Sequence, residues 1–331
     1  MTTSPQSKHT IALWMFLSLF CVHMAPGQES VPEAPDEQAG QPELFLPGIV
    51  STHLSERDAA LSADGHRFYY TVSSYNRPMI VFVERKSGRW TQPQTASFSG
   101  VYSDLEPHFS PDGEKLYFAS NRPLEKGGQT KDFDIWYVER TNDAWGEPVN
   151  VGSPVNTPAN EFYPSVTEAG TLYWCAVREG GPGGEDIFFS RMENGRYGPA
   201  TALSDSVNTA GNEYNAFVAR DESFIIFTST GWGSGYGRGD LWIGFRKPDG
   251  QWTRARNMGP EVNTPAFEYC PFVSDDGEFL FFTSDRMDST QIKATATYED
   301  VVAFSKLPGN KQSSIFSIDA GVIEKLRPRQ Q

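Results

Sequence analysis

One twelve-residue phrase recurs along this chain. VNTPANEFYPSV, from Val155 to Val166, returns as VNTAGNEYNAFV from Val207 and as VNTPAFEYCPFV from Val262. Aligned on the Asp-Gly turns that follow, the sequence holds five copies: SERDAALSADGHRFYYT, SDLEPHFSPDGEKLYFA, NEFYPSVTEAGTLYWCA, NEYNAFVARDESFIIFT and FEYCPFVSDDGEFLFFT. Each carries an acid nine residues ahead of the turn glycine or its equivalent: Glu56, Asp104, Glu161, Glu213 and Glu268. A period of about fifty residues restricts the fold to a solenoid or a propeller.

Strand content separates the two. Every unit has several short β-type runs bounded by turn residues and almost no helical periodicity. In the third copy EFYPSV, TLYWCAV, DIFFSRM and YGPATAL give four strands, the count of a propeller blade. Asp64-Gly65, Asp112-Gly113 and Asp276-Gly277 read as hairpins between first and second strands; Ser87-Gly88, Asn194-Gly195 and Asp249-Gly250 read as hairpins between third and fourth. Trp90, Trp145, Tyr197 and Trp252 follow the second set and are expected to fill the gaps between blades. Thr52 precedes Glu56 by four residues, as Thr157, Thr209 and Thr264 precede their glutamates. ELFLPGIVST therefore fits the register of a fourth strand and its exit, while SIFSIDA from Ser314 supplies the third strand of the last blade. The sequence predicts an all-β chain, a five-bladed β-propeller of four-stranded antiparallel blades over residues 43–326, closed by the N-terminal strand joining the last blade.

Residues 1–27 read as a signal peptide: Lys8, the apolar run IALWMFLSLFCV and then Ala25-Pro26-Gly27, with an apolar run too short to span a bilayer. Export to the periplasm or the cell surface is expected; Cys21 raises a lipoprotein alternative, which the bulky Phe20 before it disfavours. Residues 28–42 are acidic and Pro-rich and read as a flexible leader; residues 327–331 form a tail. No later segment has the length and apolarity of a membrane span. The formal charge of −14 argues against nucleic acid as a partner. Cys175 and Cys270 lie in different repeats and are expected as unpaired, packed thiols.

DLEPHFSPDGEKLYFASNR, from Asp104 to Arg122, followed by DIWYVER from Asp134, resembles the TolB-type, WD-repeat-like propeller repeat of exported bacterial proteins. The resemblance runs over about residues 43–326. It departs at Arg220-Asp221-Glu222, which lacks the turn glycine; at Met79 and Ser314, which stand where Asp134, Asp186 and Asp240 stand elsewhere; and at Thr230-Gly231. It implies a propeller that serves as a periplasmic or surface interaction module, and related propellers also carry enzymes, so activity has to be argued from a site.

The acids and the longest loops share one face, where function is usually placed. Candidate binding residues there are Glu56, Asp104, Glu161, Glu213 and Glu268; Arg77, Arg122, Arg178 and Arg286, which follow the second strand in four blades; and Trp232 and Tyr236 in the glycine-rich loop TGWGSGYGRGD. The acid ring has three readings: structural ion pairs with the arginines, oxygen ligands for a cation such as Ca²⁺, or acid and base for sugar hydrolysis. Trp232 and Tyr236 are either contacts for a sugar or peptide or part of a loop folded onto its own blade. TYEDVVAFSKLPGN predicts a short helix, about Tyr298 to Lys306, lying over the channel mouth as a plug that buries Val301 and Phe304. His53, His66 and His108 show no metal-ligand spacing, and Gly-x-Ser-x-Gly is absent. No cofactor, no metal and no catalytic residue is assigned. The expectation is a monomeric, non-catalytic module for a protein or polysaccharide partner, with a glycan hydrolase acting through the acid ring as the alternative.

Overall fold

Strands of the kind found here, such as Leu172–Ala176 and Phe224–Ser229, are apolar almost without alternation and are covered on both faces. In this fold the covering comes from neighbouring blades. A computed structural model describes residues 40–328, apart from 143 and 234. The expected signal peptide and nearly all of the expected leader lie outside the described residues.

Blade I comprises Glu56–Leu61, Arg67–Val72, Met79–Lys86 and Gln94–Thr95, and blade II Asp104–Phe109, Lys115–Ser120, Asp134–Thr141 and Val149–Asn150. Blade III comprises Glu161–Val166, Leu172–Ala176, Asp186–Ser190 and Thr201–Ala202, and blade IV Glu213–Val218, Phe224–Ser229, Asp240–Phe245 and Arg256–Asn257. Blade V is Glu268–Val273, Phe279–Ser284 and Ser314–Asp319, completed from the other end of the chain by Glu43–Leu44, whose residues pair with Ser317 and Phe316. The five first strands touch in cyclic order, and Glu268–Val273 lies against Glu56–Leu61, which closes the ring. The predicted all-β, five-bladed propeller with its terminal latch is the fold observed.

The hydrophobic core is divided among the inter-blade gaps. Tyr69 and Ile80 of blade I cluster with Phe109, Leu116 and Trp136 of blade II, and Tyr173 of blade III with Phe227 and Trp252 of blade IV. The outer aromatics seal these gaps: Trp145 Nε1 donates to Tyr69 Oη at 2.8 Å, and Trp90 packs edge-on to Phe45 of the latch. The outer strands are less regular than predicted. Pro93, Pro148 and Pro199 cannot donate to the ladder, so the fourth strand breaks there into a short hairpin arm and a separate segment paired further along the third strand. The predicted helix forms over Tyr298–Phe304 with the expected Thr297–Asp300 capping box. It is not a plug, because none of its residues is buried and Val301 is 57% exposed.

The most consequential regularity is in the first strands. Each has a register shift at the same place, and its third residue sits in the left-handed region: Asp58 at φ 64°, Glu106 at 61°, Tyr163 at 53°, Asn215 at 50° and Cys270 at 52°. Pro107, Pro164 and Pro271 follow in three blades, where the bulge leaves an N–H without a ladder partner. Left-handed non-glycine residues cost about 1–2 kcal/mol each and gather where a structure needs a side chain re-aimed.

The latch carries a clear energetic expectation. Phe45 is buried against Phe68 and Phe281, with ring centroids 4.6 and 5.0 Å away. Phe45→Ala should lower the unfolding free energy by about 3–5 kcal/mol in urea titration, far more than an exposed substitution such as Val101→Ala; equal effects would contradict closure through this strand.

Candidate functional site

The recurring phrase proves to be a clamp. Asn156, Asn208 and Asn263 each grip the N–H and the C=O of one residue in the preceding blade's third strand, Ile135, Ile187 and Leu241, at 2.8–3.0 Å. The threonine that follows donates to the glutamate four residues on. Glu161 accepts from Thr157 N at 3.2 Å and Thr157 Oγ1 at 2.5 Å, Glu213 from Thr209 at 2.6 and 2.9 Å, and Glu268 from Thr264 at 2.9 and 2.7 Å. Glu56 takes both donors of Thr52, and Asp104 takes Ser99 Oγ. All five carboxylates are buried, so they hold the connection between blades and do not face solvent.

Only two of the four expected arginine partners pair with an acid. Arg122 reaches Asp104 at 2.6 Å and Arg286 reaches Glu268 at 3.0 Å. In both, a serine ending the second strand, Ser120 or Ser284, accepts from the arginine Nε and aims it at the acid. Blade III has Ala176 at that place, and Arg178 donates to the carbonyls of Pro154 and Val155 instead. Arg77 lies five residues beyond Val72, which pairs with Glu56, whereas the other arginines lie two beyond the equivalent residue; it forms no ion pair with Glu56. For Trp232 the second of its two readings, the loop folded onto its own blade, is the one observed. Trp232 is 7% exposed, donates from Nε1 to Val207 O at 2.9 Å and packs on Trp242, so the glycine-rich loop folds onto its own blade; Tyr236 in the same loop is exposed.

An open concavity lies on the propeller axis, at the end where the first strands begin. It measures about 350 Å³. The residue after each rim acid lines it: Arg57, Leu105, Phe162, Tyr214 and Tyr269. Phe133, against Phe162 at 5.1 Å, and Phe267, stacked on Tyr269 at 4.7 Å, extend the aromatic wall. Glu106, Glu185 and Asn215 supply the polar groups. The bulge makes this possible, since the left-handed residues meet at the axis and bind across it. Glu106 accepts from Arg57 of blade I at 2.7 Å, from the Tyr163 N–H of blade III at 2.7 Å and from Asn215 of blade IV at 3.3 Å. Arg57 also pairs with Asp58 at 2.8 Å, donates to Cys270 Sγ at 3.3 Å and lies over the Tyr269 ring.

Burial pushes the Glu106 carboxyl up despite Arg57, and burial likewise raises Glu185. Burial pushes the Cys175 and Cys270 thiols well up, so both stay protonated; they form no disulfide. At the hairpin end the axis is packed. Phe109, Phe217 and Phe272 leave a gap of about 10 Å³, the Arg220–Asp275 pair lies beside it, and His108, driven down to about 4 by burial, accepts from Val166 N–H as a neutral ring. Among the described residues no three His, Cys, Asp or Glu side chains converge on a common metal position.

The mouth residues are not among those the repeat singles out, because a repeat is defined by what stays constant. The two columns after the rim acid are the ones that vary, reading Arg-Asp, Leu-Glu, Phe-Tyr, Tyr-Asn and Tyr-Cys. Variation inside an otherwise constant unit was the available signal.

Fold and mouth together define a five-bladed β-propeller whose axis opens on one face. No family model matches the chain, and no curated protein matches its sequence. Solved structures similar to it include a putative TolB from Agrobacterium tumefaciens, 16% identical over 70% of this chain and 70% of that one at a TM-score of 0.46. TolB from Acinetobacter baumannii is 12% identical over 80% of this chain and 54% of that one at 0.45, so this chain spans about half its length. The GH43 endo-arabinanase from Bacillus licheniformis is 11% identical over 82% of this chain and 96% of that one at 0.50. At such identities the likeness is one of fold. No helix among the described residues is long and apolar enough to cross a membrane.

Two measurements test the rim. Glu56 and Glu161 are raised to about 7 from the ordinary 4.5, with burial as the main cause. A raised acid contributes its full stability below the unfolded value and loses it as pH climbs through the folded one. Unfolding free energy should therefore fall between pH 5 and pH 8, and Glu161→Gln should gain on the wild type across that interval; a constant gap would contradict this. Arg122→Ala strands the buried Asp104 and should cost about 3–5 kcal/mol in denaturant titration, whereas Arg77→Ala should cost much less.

Proposed function

We propose that this chain is an exported, non-catalytic binding propeller that holds a segment of neutral polysaccharide in the axial mouth. The observation that carries the reading is the lining: five aromatic rings, Phe133, Phe162, Tyr214, Phe267 and Tyr269, interleaved with the planar polar ends of Arg57, Glu106, Glu185 and Asn215. Aromatic faces accept the C–H faces of sugar rings, and fixed guanidinium, carboxyl and amide groups match hydroxyls. A volume of about 350 Å³ falls within the range of small-ligand sites. Export rests on the signal-like residues 1–27. The loop carrying Tyr236 and the rim acids play supporting parts: one covers its own blade and the others clamp the entries to the mouth.

A second reading, a glycan hydrolase, is favoured by one observation, the presence of Glu106 and Glu185 in one mouth with burial raising both. Acid and base must each be free to meet the substrate. Both oxygens of Glu106 are already engaged by Arg57, Asn215 and the Tyr163 N–H, which favours binding over turnover.

Calorimetric titration of the mature chain with a panel of soluble plant and bacterial glycans tests both. Tyr214→Ala and Phe162→Ala should each weaken the glycan that binds by about tenfold, the worth of one stacking ring, with unchanged thermal unfolding. Absence of binding at millimolar glycan would defeat the proposal. Reducing-sugar release by the wild type that Glu185→Gln abolishes would replace it with the hydrolase.

A further inference from the structure

The third strands of blades II, III and IV each open on a buried aspartate, Asp134, Asp186 and Asp240. Two of the three are well supplied with donors. Asp240 accepts from the N–H groups of Tyr236 at 2.7 Å and Gly237 at 3.0 Å and from the Asn257 amide at 2.6 Å. Asp134 accepts from the Lys131 ammonium at 2.6 Å and the Asn150 amide at 2.7 Å.

Asp186 differs. Its Oδ2 accepts from Gly183 N–H at 3.0 Å, and its Oδ1 is buried with no donor among the described residues. The sequence accounts for each missing partner. Asn150 and Asn257 sit opposite Trp136 and Trp242 in the outer strand, and Ala202 takes that place opposite Phe188. Four residues ahead of the aspartate, where Tyr236 gives its N–H, blade III has Pro182, which has none; three ahead, where blade II has Lys131, it has Gly183. The loop cannot recruit a side chain in their stead. A Cβ on Gly181 would lie 2.0 Å from Asp186 Oδ2, and one on Gly183 would lie 2.4 and 2.5 Å from the carbonyl oxygens of Gly211 and Thr209.

We infer that blade III binds a singly charged cation of the ammonium, potassium or sodium class at Asp186 Oδ1, where blades II and IV give their aspartate the outer-strand amide. The charge follows from blade II, where the equivalent buried carboxylate is balanced by one positive group, the Lys131 ammonium. The donor set supplies the class, because one free carboxylate oxygen lacks the several carboxylates of a typical Ca²⁺ cage and the thiolates or imidazoles of a zinc site. The raised affinity of Asp186 for a proton, caused by burial, is the response of a carboxylate without its counter-charge. Glu185, the next residue back along the chain, lines the axial mouth, so the cation would fix the loop that forms part of the mouth's wall. The inference does not depend on what the mouth binds.

Thermal unfolding of the full chain at pH 7.5 and constant ionic strength tests it, with potassium, sodium or ammonium chloride exchanged for N-methyl-D-glucamine chloride. The melting temperature of the wild type should rise saturably, by about 2–4 °C at a small cation concentration well above its dissociation constant. Ala202→Asn restores the amide that blades II and IV possess, and should remove the dependence while keeping the higher melting temperature. Equal melting temperatures of the wild type in all four salts would overturn the inference in favour of a proton or a water at Oδ1. A variant that folds and keeps the wild-type cation response would overturn the assignment to Asp186. If Ala202→Asn does not fold, the wild-type series decides, with ²³Na relaxation and its reversal by potassium as the second readout: no sodium broadening relative to Asp186→Asn counts against the site.

Discussion

A backbone kink repeated five times governs this molecule. The bulge in each first strand places a left-handed residue two positions after the rim acid, and the strand's remaining residues stay in register with the blade behind it. Without that turn, Asp58, Glu106, Tyr163, Asn215 and Cys270 would fall in line with the apolar faces packed between blades. With it, they converge, and Glu106 joins three other blades through single hydrogen bonds. The cost of five unfavourable φ angles is spread around a closed ring in which every blade is braced by two neighbours, so relaxing any one bulge would break contacts in the adjoining blades.

The rim acids belong to the same economy of construction. A buried carboxylate is a poor stabiliser on its own account, and burial holds Glu56 and Glu161 well above their ordinary range. Their value is geometric. The four glutamates each fix a threonine and Asp104 a serine, and in three blades the neighbouring asparagine locks the preceding blade's third strand, so a short phrase welds consecutive blades at the inner edge while the tryptophans and tyrosines seal the outer edge. Specificity of blade-to-blade angle, more than net stability, is what such buried polar groups supply.

The architecture was legible in the sequence because it is built from repetition: period, turn glycines and threonine spacing located five blades and the latch between Glu43 and Ser317. Side-chain partnerships were legible only in part. Arg122 and Arg286 find their acids through a serine two residues earlier, and the sequence does show that serine missing in blade III; Arg77 shares the residue type but lies three residues out of place. Trp232 was open to two readings because glycines surround it, and those glycines are what let the loop fold flat enough to cover it. The mouth was illegible for a deeper reason. It is assembled from one or two residues of every blade, each unremarkable in its own repeat, and a bulge that no propensity marks turns them toward a common axis. Only the prolines at 107, 164 and 271 betray it.

The packed hairpin end has a mechanical implication. Phe109, Phe217 and Phe272 make the axis a blind socket, so whatever enters must leave by the door it came in. A polymer cannot be threaded through such a ring or slid along it; it can be seated only by a terminus, a side branch or a bent loop short enough to reach the floor formed by Glu106 and its partners.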